Sequence, residues 1–130
     1  MSDSIFFEND FMRLEKKEGI LFGTYKKGPL TIDMAKQAVK LRLKFTDNNP
    51  VLMVASENGL KGIERAARQF LSSEEGMKGV KAGAIVTKSA FASHLANIYM
   101  KLSLTKPKIP IKMFSNEEEA ISWLKKIDSK

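Results

Sequence analysis

Few side chains in this chain can do chemistry. His94 is the single histidine. An imidazole titrates near neutral pH, so it is the natural candidate for a proton shuttle. On a helix its neighbours would be Asn97 and Lys101, which provide neither a nucleophile nor an orienting carboxylate. The simpler reading is a surface histidine. Glu117, Glu118 and Glu119 are a run of three carboxylates, groups that could hold a cation or act as acid and base. Gly76-Met77-Lys78-Gly79 has the GxxG spacing with which KH domains clamp a nucleic-acid backbone. In those domains the loop joins two helices. Here it leads into a strand, so a turn is expected. The absence of cysteine removes thiol catalysis, thiolate metal sites and disulfides, and one histidine cannot make a two-histidine zinc site. Neither GxxxxGK(S/T) nor GxGxxG occurs. These residues point away from an enzyme and call for no metal and no cofactor.

Charge is the other chemical resource. The net charge is +7, and seven lysines (78, 81, 88, 101, 106, 108 and 112) fall in a segment without a single acid. Such a segment can attract phosphate-rich partners, but a solvated surface that keeps a small protein soluble is the preferred reading. The length, 130 residues, suits one domain, and 43% hydrophobic residues suffice for one core. A chain of this size buries roughly 65–70% of its unfolded surface. No stretch approaches the ~20 apolar residues of a membrane span. The start, MSDSIFFENDF, lacks the basic and apolar regions of a secretion signal, so the cytoplasm is the expected location.

The elements that must position these groups follow from periodicity. Ile5, Phe6 and Phe7 are too apolar for a free tail, so residues 1–10 are expected to pack on the domain as an N-terminal extension. Phe11 to Lys16 alternates, Lys17-Glu18-Gly19 turns, and Ile20 to Tyr25 returns, which predicts an antiparallel hairpin. Thr31 caps a helix to about Phe45, with Asp33 in its first turn and Met34, Ala38, Leu41 and Phe45 on the apolar face. Pro50 ends that region, and Val51 to Ala55 is a buried strand. A short helix over Ile63 to Leu71 turns Ile63, Ala66, Ala67 and Phe70 inward.

Lys81 to Val86 is apolar on both faces, the mark of a central parallel strand. The helix from Ser89 to Leu102 that follows carries Phe91, Leu95, Ile98 and Leu102 as its stripe. Ile111 to Phe114 is a last strand. Ser115-Asn116-Glu117-Glu118 then reads as a capping box with Ser115 as cap, which explains the glutamates as a helix first turn. The order ββαβαβαβα predicts one α/β domain over residues 1–130, with right-handed crossovers.

This order places two candidate sites. Ligands of open α/β sheets gather outside the carboxyl ends of the strands. Ser56, Glu57, Asn58, Thr87, Lys88, Ser89, Ser115 and Asn116 are expected there, as an edge for a small anion or a partner. Lys78, Lys81, Lys101, Lys106 and Lys108 should gather at the opposite edge as a basic patch. Only Tyr99 accompanies them, so no base-stacking ladder forms.

EGILFGTYKKGPLTIDMAK, VLMVAS, ERAARQFLSSEEGMKGVKAGAIV and MFSNEEEAISWLKK resemble small, uncharacterised bacterial STAS-like (SpoIIAA-like, STAS/SEC14) proteins, over about residues 11–127. The resemblance implies a mixed sheet of four or five strands with about four helices. STAS antagonists carry a phosphorylatable serine at the start of the helix after the third strand, here near Ile63-Glu64-Arg65-Ala66. No Ser or Thr occurs in Asn58–Leu71. The fold is implied, and the serine switch is not.

The function expected from the sequence is a non-enzymatic regulatory or protein-interaction domain with a protein partner, self-association included. The alternative is a binder of a small anionic or lipidic ligand, which an apolar cavity of several hundred Å³ under the Ser89–Leu102 helix would mark. Weak binding of nucleic acid or an anionic surface through the lysines ranks third, and an enzyme is the least supported.

Overall fold

The structure is a computed structural model and describes residues 5–26, 28–58, 62–87 and 109–129. The helix expected from Ser89 to Leu102, with His94, lies outside the described residues, as do Lys88, Ser89, Lys101, Lys106 and Lys108. Among the described residues there are six strands: β1 (Ile5–Glu8), β2 (Met12–Lys17), β3 (Ile20–Lys26), β4 (Val51–Asn58), β5 (Val80–Val86) and β6 (Ile111–Phe114). Three helices accompany them: α1 (Ile32–Phe45), α2 (Arg65–Leu71) and α3 (Glu117–Asp128). The strands form one sheet in chain order, β1-β2-β3-β4-β5-β6. β1, β2 and β3 pair antiparallel, whereas β3 to β6 are parallel.

The sheet therefore has one strand more than expected. The extra one is β1, formed from the apolar Ile5–Phe7 region. Its pairing with β2 spans Ile5↔Lys16 to Glu8↔Arg13. Asn9 makes the connection, its side chain accepting from the backbone N–H groups of Phe11 and Met12 at 2.9 Å each. An Asn that bonds the backbone two or three residues on is a turn-former. The residues of β1 show no alternation, so its strand character comes from the partner ladder alone. The β2–β3 hairpin is as expected. Both turn residues, Glu18 (φ 53°) and Gly19 (φ 78°), have positive φ, the geometry that matches the twist of paired strands.

Strand alternation sorts the core into two faces. Ile20, Leu52, Val54, Ala82 and Ala84 meet Ala120 and Leu124 of α3 on one face. Leu21 and Val51 pack with Ala38 of α1 on the other, where Ile85 and Ile111 join Ala35 of α1 and Ala67 of α2. β5 is buried from Ala82 through Ile85, on both faces, as its unbroken apolar run implied. α1 and α2 connect parallel strands that are neighbours in chain order, so successive crossovers of one hand put them on the same face. α3 follows the last strand and is free to close the other.

Three local expectations are corrected. The buried line of α1 is Ala35, Ala38, Val39 and Arg42, not Met34, Ala38, Leu41 and Phe45. Met34, Leu41 and Phe45 flank it, partly buried. An arginine occupies the core phase, and a hydrophobicity pattern cannot register that. The short helix begins at Arg65, two residues late, and Ala66 is exposed. Ile63 instead forms a parallel bridge to Leu30, with the Leu30 N–H donating to Gly62 and the Glu64 N–H to Leu30. Finally, Asn116 caps α3, accepting from the Glu119 N–H at 2.9 Å. Ser115, one residue too early, does not. Thr31 does cap α1, at 3.2 Å from the Met34 N–H.

Candidate functional site

Strands β4 and β5 present small residues toward the α1 side of the sheet, Ala55 and Gly83. A missing side chain at such a position leaves room between sheet and helix. That room is a cavity of about 110 Å³, bounded by β3 to β6, α1 and the ends of α2. Met53, Ala55, Gly83, Ile85 and Ile111 form its floor, and Leu30, Ile63, Leu71 and Met77 close its sides. The volume is below the several hundred Å³ expected of a ligand site. Its relation to the Ser89–Leu102 helix lies outside the described residues.

Four polar residues, Tyr25, Arg42, Ser56 and Glu57, stand in this otherwise apolar wall, and the first two meet between α1 and β3. Arg42, on the buried line of α1, is 4% exposed and is one of three buried polar or charged residues among those described. Its Nη2 donates to the carbonyls of Gly76 (3.1 Å) and Lys78 (2.7 Å). Its Nε has no hydrogen-bond partner. Burial lowers the pKa of the guanidinium, because a cation loses hydration there; Tyr25 nearby opposes the shift. Tyr25, near the end of β3, is partly exposed as a whole side chain, but its titrating oxygen lies inside the protein. Burial raises that phenol above its ordinary value, and the positive charge of Arg42 pulls the other way.

The GxxG turn is what receives the arginine. A Cβ on Gly76 would stand 2.1 Å from the Phe70 carbonyl oxygen and 2.8 Å from Leu71 Cα. Only glycine permits that approach, which is how the Gly76 carbonyl reaches a residue of α1. The Ser73 hydroxyl, accepting from the Gly76 N–H at 3.1 Å, closes the turn locally. The motif is a turn with a structural duty, as its position before a strand implied.

The residues expected at the carboxyl edge are divided. Ser56 and Glu57 line the cavity, and the Ser56 and Thr24 hydroxyls are 3.1 Å apart. Asn58 ends β4, and the Thr87 N–H donates to the Phe114 carbonyl at 3.1 Å. Ser115 borders an open surface groove on the α3 side with Lys112, Phe114 and Trp123, while Asn116 serves as the α3 cap. Lys88 and Ser89 lie outside the described residues. The carboxyl-edge crevice of open sheets arises where strand order reverses. Here β3 to β6 follow one another without reversal, so those residues face different compartments.

Of the lysines expected in a basic patch, Lys78 is exposed, and Lys81 pairs with Asp128 at 2.8 Å. Lys101, Lys106 and Lys108 lie outside the described residues. Glu117, Glu118 and Glu119 occupy the first turn of α3, exposed. Among the described residues no cluster of His, Asp or Glu could hold a metal ion. No helix among them is long and apolar enough to cross a membrane.

Sequence reasoning missed Arg42 and Tyr25. A signal existed: residues 35, 38, 39 and 42 have helical spacing, and an arginine that completes a line of alanines and valine is a buried charge by position.

Similarity to known proteins agrees with this architecture. One similar solved structure is an uncharacterised protein of the DUF3478 family, with a SpoIIAA-like fold, from Shewanella loihica PV-4. It is 19% identical, with a TM-score of 0.56, over 95% of this chain and 98% of that one. At that identity the likeness shows the fold, which is SpoIIAA-like, as the sequence phrases implied. A search of curated proteins gave no match. The family model described as a domain of unknown function, DUF7793, matches residues 12–128, and the chain belongs to that family.

Proposed function

We propose that this chain is a non-enzymatic SpoIIAA-like binding domain, and that its working part is the cavity between α1, α2 and the sheet. The observation that carries this reading is a void of about 110 Å³, walled mainly by apolar side chains, in a fold whose strands and helices otherwise pack into continuous clusters. An apolar cavity of ~150 Å³ stays dry and accepts benzene. Drug-sized ligands occupy ~300–1,000 Å³. The occupant is accordingly a small molecule with an apolar body, and its binding is the input to a regulatory role. The serine switch of STAS antagonists has no counterpart at α2, whose residues Arg65–Leu71 include neither Ser nor Thr.

Titration with toluene, followed by amide resonances, tests the reading. Shifts confined to Gly83, Ile85 and Ile111, with β2 unmoved, are expected. A spectrum unchanged at saturating toluene would overturn it.

A protein partner is the second reading, favoured by the surface groove on the α3 side. Phe114 and Trp123 are partly exposed there, with ring centroids 5.6 Å apart, and Lys112 Nζ lies 5.5 Å from the Phe114 ring. Partly exposed aromatics are enriched at interfaces. Affinity capture with the wild type and with Phe114→Ser should then retain a protein on the first and lose it on the second.

A further inference from the structure

The surface groove on the α3 side has its charges set out in order. α3 runs back along β6: only Ser115 and Asn116 join the two, and Lys81, near the start of β5, pairs with Asp128, the last residue of α3, at 2.8 Å. β6 runs parallel to β5, with Ile111 opposite Gly83. Lys112 and Lys126 therefore stand toward one end of the groove. Phe114 and Trp123, partly exposed with ring centroids 5.6 Å apart, form its apolar centre. Glu119 and Ser115 stand toward the other end, beside the start of α3. All six border the groove. Lys112, Glu119 and Lys126 are exposed, and none of them forms an ion pair among the described residues, whereas the neighbouring Lys125 pairs with Glu18. Glu119 and Lys126 are seven residues apart on α3. At 1.5 Å per residue that is about 10 Å.

We infer that this groove binds an extended segment of a partner protein that presents an acidic, an apolar and a basic side chain in succession. The acid meets Lys112 and Lys126, the apolar side chain packs against Phe114 and Trp123, and the base meets Glu119. This rests on the protein-partner reading above and adds the chemistry of the partner. An extended chain advances about 3.3 Å per residue and turns alternate side chains to one face. Positions i, i+2 and i+4 therefore span about 13 Å, and the flexible stems of the lysines take up the difference. The aromatic centre is the part that loses water on contact, so it provides the affinity. The charges select the segment. A chain of net charge +7 attracts any acidic segment from a distance. A segment acidic throughout, however, brings a carboxylate to Glu119, and like charges placed together oppose binding.

The test uses the full chain and four acetylated, amidated pentapeptides with Phe at the centre, Ser on either side of it, and Glu/Lys, Glu/Glu, Lys/Lys or Gln/Gln at the two ends. Dissociation constants come from titrations followed by amide resonances at constant ionic strength. The indole N–H resonance of Trp123, the single tryptophan, reports the groove. We expect the Glu/Lys peptide to move that resonance and to bind about threefold or more tightly than each of the others, the scale of exposed ion pairs. We expect Glu119→Lys to change the order, so that the Glu/Glu peptide becomes the tightest. A Glu/Glu peptide as tight as Glu/Lys on the wild type overturns the proposal, because net charge alone gives that result. An order unchanged by Glu119→Lys overturns it as well. So does hexathymidylate if it moves the Trp123 resonance and binds more tightly than every peptide, which marks a nucleic-acid surface. If no peptide moves that resonance at millimolar concentration, the proposal falls, while affinity capture with Phe114→Ser still decides the protein-partner reading. Glu119 is exposed and gives only its backbone N–H to the α3 cap. Should Glu119→Lys nevertheless fail to fold, the order of the four peptides on the wild type decides alone.

Discussion

Gly83→Ala measures whether the cavity is empty. Gly83 lies inside β5, where a glycine costs about 0.5–1 kcal/mol relative to alanine through the freedom of its unfolded backbone. Its new Cβ would meet Ile111 Cδ1 at 2.9 Å and Val80 Cγ1 at 3.8 Å, with no backbone atom closer. Ile111 Cδ1 is the tip of a flexible side chain that itself borders the cavity, so it has room to turn away. The added methyl then fills apolar space, worth about 0.8 kcal/mol. Against this stands an off-rotamer cost for Ile111 of about 0.5–1.5 kcal/mol. The net expectation is a gain of about 0.5 kcal/mol. For a chain of this length that raises the midpoint of thermal unfolding by about 2 °C. Urea unfolding should show the same gain at unchanged slope, as befits a change in stability rather than in exposed surface. In a filled core the same methyl overpacks and costs about 1–3 kcal/mol. The two cases differ in sign, so a variant destabilised by 1 kcal/mol or more refutes the cavity. The methyl should also weaken toluene binding.

Three other outcomes can be checked. Gly76→Ala should lose about 3 kcal/mol or more in urea unfolding, because backbone atoms of Phe70 and Leu71 stand where its Cβ must go. Burial raises the Tyr25 phenol above its unfolded value, so its contribution to stability is intact below about pH 10. Above that pH the unfolded chain releases the proton first, and stability should fall by up to ~1.4 kcal/mol per pH unit until the folded-state pKa is passed. Tyr25→Phe should remove that share of the alkaline loss, and parallel pH curves for the two proteins would contradict the buried phenol. Asn116→Ala should cost about 1 kcal/mol, whereas Ser115→Ala should cost almost nothing; the reverse order would restore Ser115 as the cap of α3.

Much of the architecture was legible from residue order. Alternation over Met12 to Leu14, the apolar run of β5, Pro50 and the Thr31 cap are local signals, and local energetics suffice to express them. β1 was illegible because its strand state exists only through pairing with β2. The cap of α3 was misplaced by one residue because Ser115 and Asn116 are both good caps, and only the entry angle of the chain selects between them. The candidate site was harder still. Ser56 and Glu57, expected in the loop after a strand ending at Ala55, belong to β4 itself and line the cavity, whereas Ser115 borders the groove on the α3 side and Asn116 caps α3.

By itself, then, the sequence determined an α/β fold with a buried central strand, no thiol or two-histidine chemistry in these residues, and no serine at the expected switch. What only the tertiary structure decided is what receives Arg42. Helical spacing with Ala35, Ala38 and Val39 puts it on the buried line, but its place in the last turn of α1 says solvent. Packing of α1 on the sheet instead turns it inward, where the carbonyls of Gly76 and Lys78, more than thirty residues away, hold it. A void beside a buried charge is a property of surfaces brought together across the chain, and helical or strand periodicity carries no record of the space between them.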